Sequence, residues 1–311
     1  CTTPLSNFEV NQWYKDKQDK TLTVKFKVKG NESKYILAWT TTPWTLMANI
    51  GLAVWADINY SEIKDTKTSD TYVLASDRLK EYYKINKEWN SEEFTLIKEY
   101  KGACLEGIKY EPVFDDFSVQ LNDMGSDLWN DVKLGKNAYS VVIGHHVTTE
   151  SGTWVVHIAP AYWEDDFIIG NESKLGFVSH INDYGKTCNT LNDNGKYVFD
   201  YNDEVIETLK QRWDIVKIST IDHSYPHCWR CDTPLIYRGI SAWYVAVEKI
   251  RDKMVDNNQD INWTPEVIKN GRFGKWVENA RDWNISRNRY WGSAIPVWQS
   301  EDKSEEVCIG S

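Results

Sequence analysis

Apolar and polar residues alternate over positions 21–28. Leu22, Val24, Phe26 and Val28 point one way, and Thr21, Thr23, Lys25 and Lys27 the other. A period of two predicts a strand with one buried face. β-Branched and aromatic runs predict further strands over 35–40, 71–74, 139–143 and 153–158, the last entered through Ser151-Gly152. Helices are predicted over 76–85, over 202–213 (Val205, Ile206, Leu209) and over 241–257, where Trp243, Val247, Ile250 and Met254 fall at helical spacing. Many short strands with few helices up to about residue 200 predict an α+β, mostly β fold built on a β-barrel-like domain. After residue 220 the character changes. Residues 264–298 are rich in Arg and Trp, with Arg272, Arg281, Arg287 and Arg289 as the basic points.

Length and composition sharpen this picture. The 311 residues suit about two domains of ~150 residues. With 41% hydrophobic and 26% charged residues the balance is that of a globular chain. No run approaches the roughly 18 apolar residues of a membrane-spanning helix, and no basic-then-apolar secretory leader opens the sequence. The first residue is Cys1 rather than Met, so a fragment or processed product is expected. The net charge of −10 argues against a bulk surface that grips nucleic acid and leaves room for a local basic groove, for which Lys20, Lys25, Lys27 and Lys29 are candidates. Six cysteines exclude no metal site, but a small secreted disulfide scaffold does not fit this length. A cytoplasmic protein with a metal or redox Cys-x-x-Cys is the better reading.

Four constellations carry possible chemistry. Trp39-Thr40-Thr41-Thr42-Pro43-Trp44-Thr45-Leu46, followed by Asn49, puts four hydroxyls at a strand end stopped by proline. They suit a polar ligand, or simply a Thr-rich turn. Gly152-Thr153-Trp154-Val155-Val156-His157-Ile158-Ala159-Pro160 leads through Ala161-Tyr162-Trp163 into Glu164-Asp165-Asp166. A carboxylate near a His can bind an ammonium group or manage a proton, and three acids also suit a helix N-terminus. His223-Ser224-Tyr225-Pro226-His227-Cys228-Trp229-Arg230-Cys231 offers two thiolates to one tetrahedral ion. Cys1 is a candidate third ligand, and His223 and His227 read better as turn residues. A redox role lacks its βαβ context, and a closed two-thiolate knuckle leaves no open position for zinc hydrolysis. Lastly, residues 278–298 interleave three Arg with Trp and Tyr, which suits phosphate contact and base stacking.

In this order, nearly end to end, the blocks resemble the isoleucyl-tRNA synthetase family. The Trp-Thr-Thr-Thr-Pro-Trp-Thr-Leu and Val-Val-His-Ile-Ala-Pro-Ala-x-x-Glu-Asp-Asp blocks are similar to the two walls of that family's editing pocket. The His favours the isoleucyl type over the valyl and leucyl types. Residues 1–10 resemble the outgoing zinc knuckle, Tyr225–Cys231 the returning one, and Arg281–Gly292 the return into the catalytic core. The resemblance implies a barrel-like editing domain (21–220) inserted in a class I Rossmann-type core. A linker and knuckle segment (1–20) precedes it, the returning knuckle and helix (221–270) follow, and residues 271–311 start the core.

It further implies hydrolysis of mischarged Val-tRNA(Ile) by positioned water. Asp166 would anchor the α-ammonium, His157 would form part of the wall that refuses isoleucine, and Thr41 and Thr42 would serve the reacting ester. Trp39, Thr40, Asn49 and Asp165 would bind substrate, and Cys1, Cys228 and Cys231 structural zinc. Partners would be tRNA(Ile) and valine or isoleucine as the aminoacyl group, with neither membrane nor DNA. ATP and Mg would serve only the full-length ligase, since His-Ile-Gly-His and Lys-Met-Ser-Lys-Ser are absent. Alternatives are a tRNA-binding module whose pocket Trp154 and Trp163 block, or a valyl- or leucyl-type editing domain.

One departure is systematic. Trp13, Trp55, Trp154, Trp163 and Trp213 stand where the family has glycine. The chain holds 16 Trp and 17 Gly, against roughly 22 Gly at the average share of about 7%. Two accounts stand: true substitutions, or UGA codons that the source reads as glycine translated as tryptophan; UGG at codons 154 and 163 would refute the second.

Overall fold

The computed structural model describes residues 2–5, 7–86, 91–115, 132–147, 149–188, 195–240, 242–286, 292–302 and 304–310. Cys1, Arg287 and Arg289 lie outside them. Contacts divide the chain into two compact units: Cys1–Thr2 with Asn7–Gly239, and Thr3–Ser6 with Ile240–Ser311.

In the first unit the strands are β1 (Tyr14–Lys27), β2 (Lys34–Thr40), β3 (Gly51–Val54), β4 (Asn59–Asp65), β5 (Thr71–Ala75), β6 (Phe94–Lys101), β7 (Val132–Leu134), β8 (Ser140–Ile143), β9 (Val156–Ile158), β10 (Gly176–Val178) and β11 (Ile215–Pro226). Among the described residues nine of them form one half-barrel sheet, ordered β6-β4-β5-β2-β9-β3-β8, with β1 on β2 and β11 on β1. The β2–β5, β2–β9 and β3–β8 pairs are parallel. Alternation explains the burial. Leu22, Val24 and Phe26 of β1 enter one core cluster with Ile36 and Ala38 of β2, while Leu37 between them enters a second with Ile63 and Leu74. β2 is therefore covered on both faces. Helix α1 (Asn7–Val10) precedes the sheet, α2 (Leu79–Tyr82) follows β5, α3 (Glu164–Glu172) follows β9, and α4 (Val198–Gln211) lays Tyr201, Val205, Ile206 and Leu209 on the first cluster.

Several predicted elements changed. The strand predicted over 22–28 begins at Tyr14, where pairing with β11 extends it. Because β11 runs through residue 220, the compositional shift there falls inside a strand. The strand predicted over 153–158 is cut to Val156–Ile158, because Trp154 has φ +57° and left-handed backbone cannot continue a strand. The helix predicted over 76–85 is a 3₁₀ turn, Ser76–Arg78, followed by one α-turn.

Trp213 is also left-handed, at φ +61°. It closes α4 in a Schellman motif, with Trp213 N–H donating to Lys210 O (3.0 Å) and Asp214 N–H to Leu209 O (2.9 Å). Glycine is the usual occupant of that position, though Lys174 closes α3 in the same way. The Trp213 ring is 81% exposed, so its removal gives up little burial. Trp213→Gly is expected to raise unfolding free energy by about 1 kcal/mol through relief of left-handed strain. A denaturant midpoint that stays put or falls would contradict this.

In the second unit the helix predicted over 241–257 begins only at α5 (Arg251–Asp260), after a 3₁₀ turn, Val247–Ile250. Tyr244–Val245 instead pair with Trp283–Asn284, as strand-forming residues do. Short helices α6 (Val267–Asn270) and α7 (Arg272–Glu278) complete its helical part. Trp263, Phe273 and Trp276 stack in sequence at 4.7 and 5.7 Å between ring centres.

Candidate functional site

The hydroxyls at the end of β2 form a chain rather than a row. Pro43 stops the strand and opens a 3₁₀ turn, Pro43–Ala48, that folds Thr45 back over Thr42. Thr42 N–H donates to Thr40 Oγ1 (3.1 Å), the Thr42 and Thr45 hydroxyls lie 3.0 Å apart, and Thr45 donates to Thr42 O at 2.7 Å. Thr45 Oγ1 then meets His157 Nε2 of β9 at 3.1 Å. With the Thr45 proton committed to Thr42 O, His157 is assigned as the Nε2–H donor. Burial pulls His157 down to about 4, so its ring is neutral, and its buried Nδ1 has no hydrogen-bond partner. Thr41 is half-buried, and its hydroxyl makes no hydrogen bond among the described residues.

β9 leads from His157 directly to the acid. Ala159 N–H donates to Asp166 Oδ2 at 2.8 Å. This bond ties the first turn of α3 to the end of β9 and buries Asp166 to 4% exposure, while Asp165 beside it stays exposed. Burial pushes Asp166 up to about 7, offset by the Ala159 N–H and reinforced by the Asp165 charge. All three acids, Glu164, Asp165 and Asp166, do sit in the first turn of a helix, so the dipole reading of that block and the carboxylate reading both apply to it. The folded state therefore holds this carboxyl protonated where the unfolded chain does not. That preference favours folding below about pH 4 and is lost as pH rises through about 7. Asp166→Asn keeps an acceptor for Ala159 and is expected to stabilise the chain at pH 8 by up to about 4 kcal/mol, with no gain at pH 4. Thermal unfolding at the two pH values checks it; equal gains at both would refute it.

Other predicted site residues are placed differently. Trp39 sits in β2 opposite Val156, with its ring against Gly152, where a Cβ would lie 2.7 Å from Trp39 Cβ. Gly152 is also left-handed, at φ +72°, so only glycine suits the position. Asn49 is committed to the scaffold: its Nδ2 donates to Gly51 O (2.8 Å) and its Oδ1 accepts from Tyr110 OH (2.6 Å). Of the four clustered lysines, three pair with acids of the chain: Lys20 with Asp203, Lys25 with Asp70, and Lys27 with Glu32 and Glu111.

One site residue went unnoticed in the sequence, and another was seen without its role. Thr45 was one of the four hydroxyls of the first block, and its role depends on the 3₁₀ turn. His146 follows β8 and brings Nε2 to 3.6 Å from Asp166 Oδ1. The available signal was a His pair at the exit of a β-branched strand.

The knuckle block closes a tight turn in which Cys228 N–H donates to Thr233 O and Asp232 N–H to Cys228 O, both 2.8 Å. The Thr233 hydroxyl and N–H pull the Cys231 thiol down to about 6, toward the thiolate a metal takes. Among the described residues no group of three His, Cys, Asp or Glu side chains is placed to hold a metal. Two thiols would supply half of a tetrahedral zinc site. His223 and His227 have local partners, Asp19 Oδ2 and Tyr225 O, each at 2.8 Å.

Residues 1–311 match the model of the class I tRNA synthetases (I, L, M and V). The chain belongs to this family. Among its relatives, the isoleucine–tRNA ligase of Treponema denticola is 44% identical over all of this chain and 30% of its own length. That of Bdellovibrio bacteriovorus is 42% identical over all of this chain and 28% of its own. The cytoplasmic isoleucine–tRNA ligase of Saccharomyces cerevisiae is 41% identical, again over 28% of its length. The chain thus spans less than a third of these relatives. Among solved structures, the editing domain of the P. knowlesi cytosolic leucyl-tRNA synthetase covers 68% of this chain and 97% of its own, with 10% identity and a TM-score of 0.44. No helix among the described residues is long and apolar enough to cross a membrane.

Proposed function

We propose that this chain is the editing segment of an isoleucine–tRNA ligase, hydrolysing the ester of mischarged Val-tRNA(Ile) with positioned water. The observation that carries the reading is a polar thread from Thr40 through Thr42 and Thr45 to His157, with a buried carboxyl, Asp166, held by the N–H of Ala159 two residues beyond that histidine. A buried carboxylate that no Lys or Arg neutralises, among the described residues, suits an incoming ammonium. The free Thr41 hydroxyl and the His157 Nδ1 acceptor suit a water and the ester's polar atoms. Neutral His157 can limit the pocket sterically without competing for the carboxylate.

Selection needs such a second site because one methylene separates isoleucine from valine by only about 1–3 kcal/mol, a limit of which isoleucyl-tRNA synthetase is itself the standing example. Positioning and a prepared polar environment supply the rate. The ligase reaction, with ATP, Mg and isoleucine, belongs to the longer protein. Zinc on Cys228 and Cys231, with Cys1 as a third ligand, would brace the knuckle, and the location would be cytoplasmic. A binding-only module is the second reading. It is favoured by Trp154, whose indole packs between two core clusters with its Nε1 buried and unpartnered. Release of free valine from Val-tRNA(Ile) by the 311-residue chain separates the two.

A further inference from the structure

The Asp166 carboxylate is anchored on one side only. Its Oδ2 takes the Ala159 N–H, and Oδ1 faces His146 Nε2 at 3.6 Å. That nitrogen is buried and has no hydrogen-bond partner. The ring is brought there by a close approach at Gly144. A Cβ on Gly144 would lie 2.9 Å from Ala53 Cβ, 3.1 Å from Ile169 Cδ1 and 3.2 Å from His146 Cε1. A buried, unpartnered nitrogen costs about 1–3 kcal/mol unless the site uses it.

We propose that His146 is a positioning residue for Asp166, holding the carboxylate ionised and aimed so that it receives the substrate's α-ammonium. The inference rests on the editing reading and deepens it.

The charge balance around Asp166 leaves a place for such a donor. Burial and the Asp165 charge both push Asp166 toward the protonated form, which cannot anchor a cation. The Ala159 N–H opposes this from Oδ2 alone, and Oδ1 has room for a second donor. His146 is itself held down, first by burial and then by neighbouring His145, with Asp165 opposing. It is therefore neutral near pH 7, and its Nε2, 3.6 Å from Oδ1, becomes an N–H donor to the carboxylate once that gap closes by about half an ångström. A lysine there would fill the ammonium's place; a neutral imidazole favours the anion and leaves that place open. Asp165 and His145 are the titratable neighbours acting on the pair, Glu164 shares the first turn of α3, and Ile169 closes the apolar side. His157 makes no hydrogen bond to Asp166 among the described residues; the two are linked by the chain from His157 to Ala159, whose N–H holds the carboxyl.

The test is a ¹³C NMR titration of the Asp166 carboxyl in the ligand-free chain, beside the pH profile of valine release. In His146→Ala the Asp166 pKa is expected to rise by about one unit, and the acid limb of kcat/KM to move up with it. At pH 7 KM should rise about tenfold with kcat within about twofold. His146→Gln, which keeps a neutral N–H donor, should restore both, and His146→Phe, which fills the space without a donor, should not. An Asp166 titration that is the same in wild type, Ala and Phe variants overturns the proposal, whatever the hydrolysis shows. A shifted titration in a chain that releases no valine upholds the pairing and overturns the editing function instead.

Discussion

Asp166→Ala is expected to lower kcat/KM for valine release by about a hundredfold or more. Removing one partner of a buried ion pair costs about 3–5 kcal/mol, which is on the order of 10²–10⁴ in rate. Asp166 is the buried acid just beyond the thread, and Ala159 N–H fixes one of its oxygens. The loss should appear in kcat as well as KM, because an ester freed at its amino end no longer meets the positioned water. Asp166→Asn should be nearly as inactive while better folded at pH 8, which separates loss of charge from loss of structure. Asp165→Ala, at an exposed position, should keep most of the activity. If Asp166→Ala keeps more than about a tenth of the wild-type rate, the ammonium anchor lies elsewhere.

The second large effect concerns Trp154. Its backbone is left-handed at φ +57°, and its indole nitrogen is buried without a partner. Left-handed strain costs about 1–2 kcal/mol and the orphaned donor about 1–3. Loss of a buried indole costs about 3–5 kcal/mol through the cavity. The terms oppose one another, so Trp154→Gly is expected to leave stability within about 2 kcal/mol of the parent. Trp44, 1% exposed and also with a buried, unpartnered Nε1 but with no left-handed backbone, is the control for strain, since Trp44→Ala should cost about 1–2 kcal/mol more than Trp154→Gly. Trp154 also lies in the segment that Trp39 N–H meets at Val155 O (3.4 Å), beside the threonine chain. Trp154→Gly, combined with Trp163→Gly, is expected to raise valine release about tenfold, or ~1.4 kcal/mol in the barrier. A variant that unfolds, or that gains nothing in rate, would mark tryptophan as the fitted residue. A UGG codon at 154 would end the recoding account separately.

What the sequence made legible follows from where each constraint acts. The alternation in β1 and the β-branched runs of β2, β5 and β8 are local, and they predicted those strands. The two site blocks were visible as motifs, and the structure joins them through Thr45 and His157. Local pattern could not show that Asn49 is committed to Gly51 and Tyr110, because Tyr110 is 61 residues away. Nor could it show His146, whose significance arises only when the end of β8 and the first turn of α3 lie beside one another. The helix misread over 241–257 has the same origin: Tyr244 and Val245 fit a helical period, yet a partner strand at Trp283–Asn284 claims them.

The ladder between β1 and β11 has a mechanical consequence. Its register runs from Tyr14 opposite Pro226 to Val24 opposite Ile215, so the chain enters and leaves the sheet side by side at one end of an antiparallel pair. A pull applied at those two points loads the rungs one after another, beginning at Tyr14 and Pro226, rather than all in parallel. The first unit is thus closed like a zip fastener: its weakest response to force lies at the junction, and the strands that carry Thr40 and His157 are reached only after the fastener has run its length.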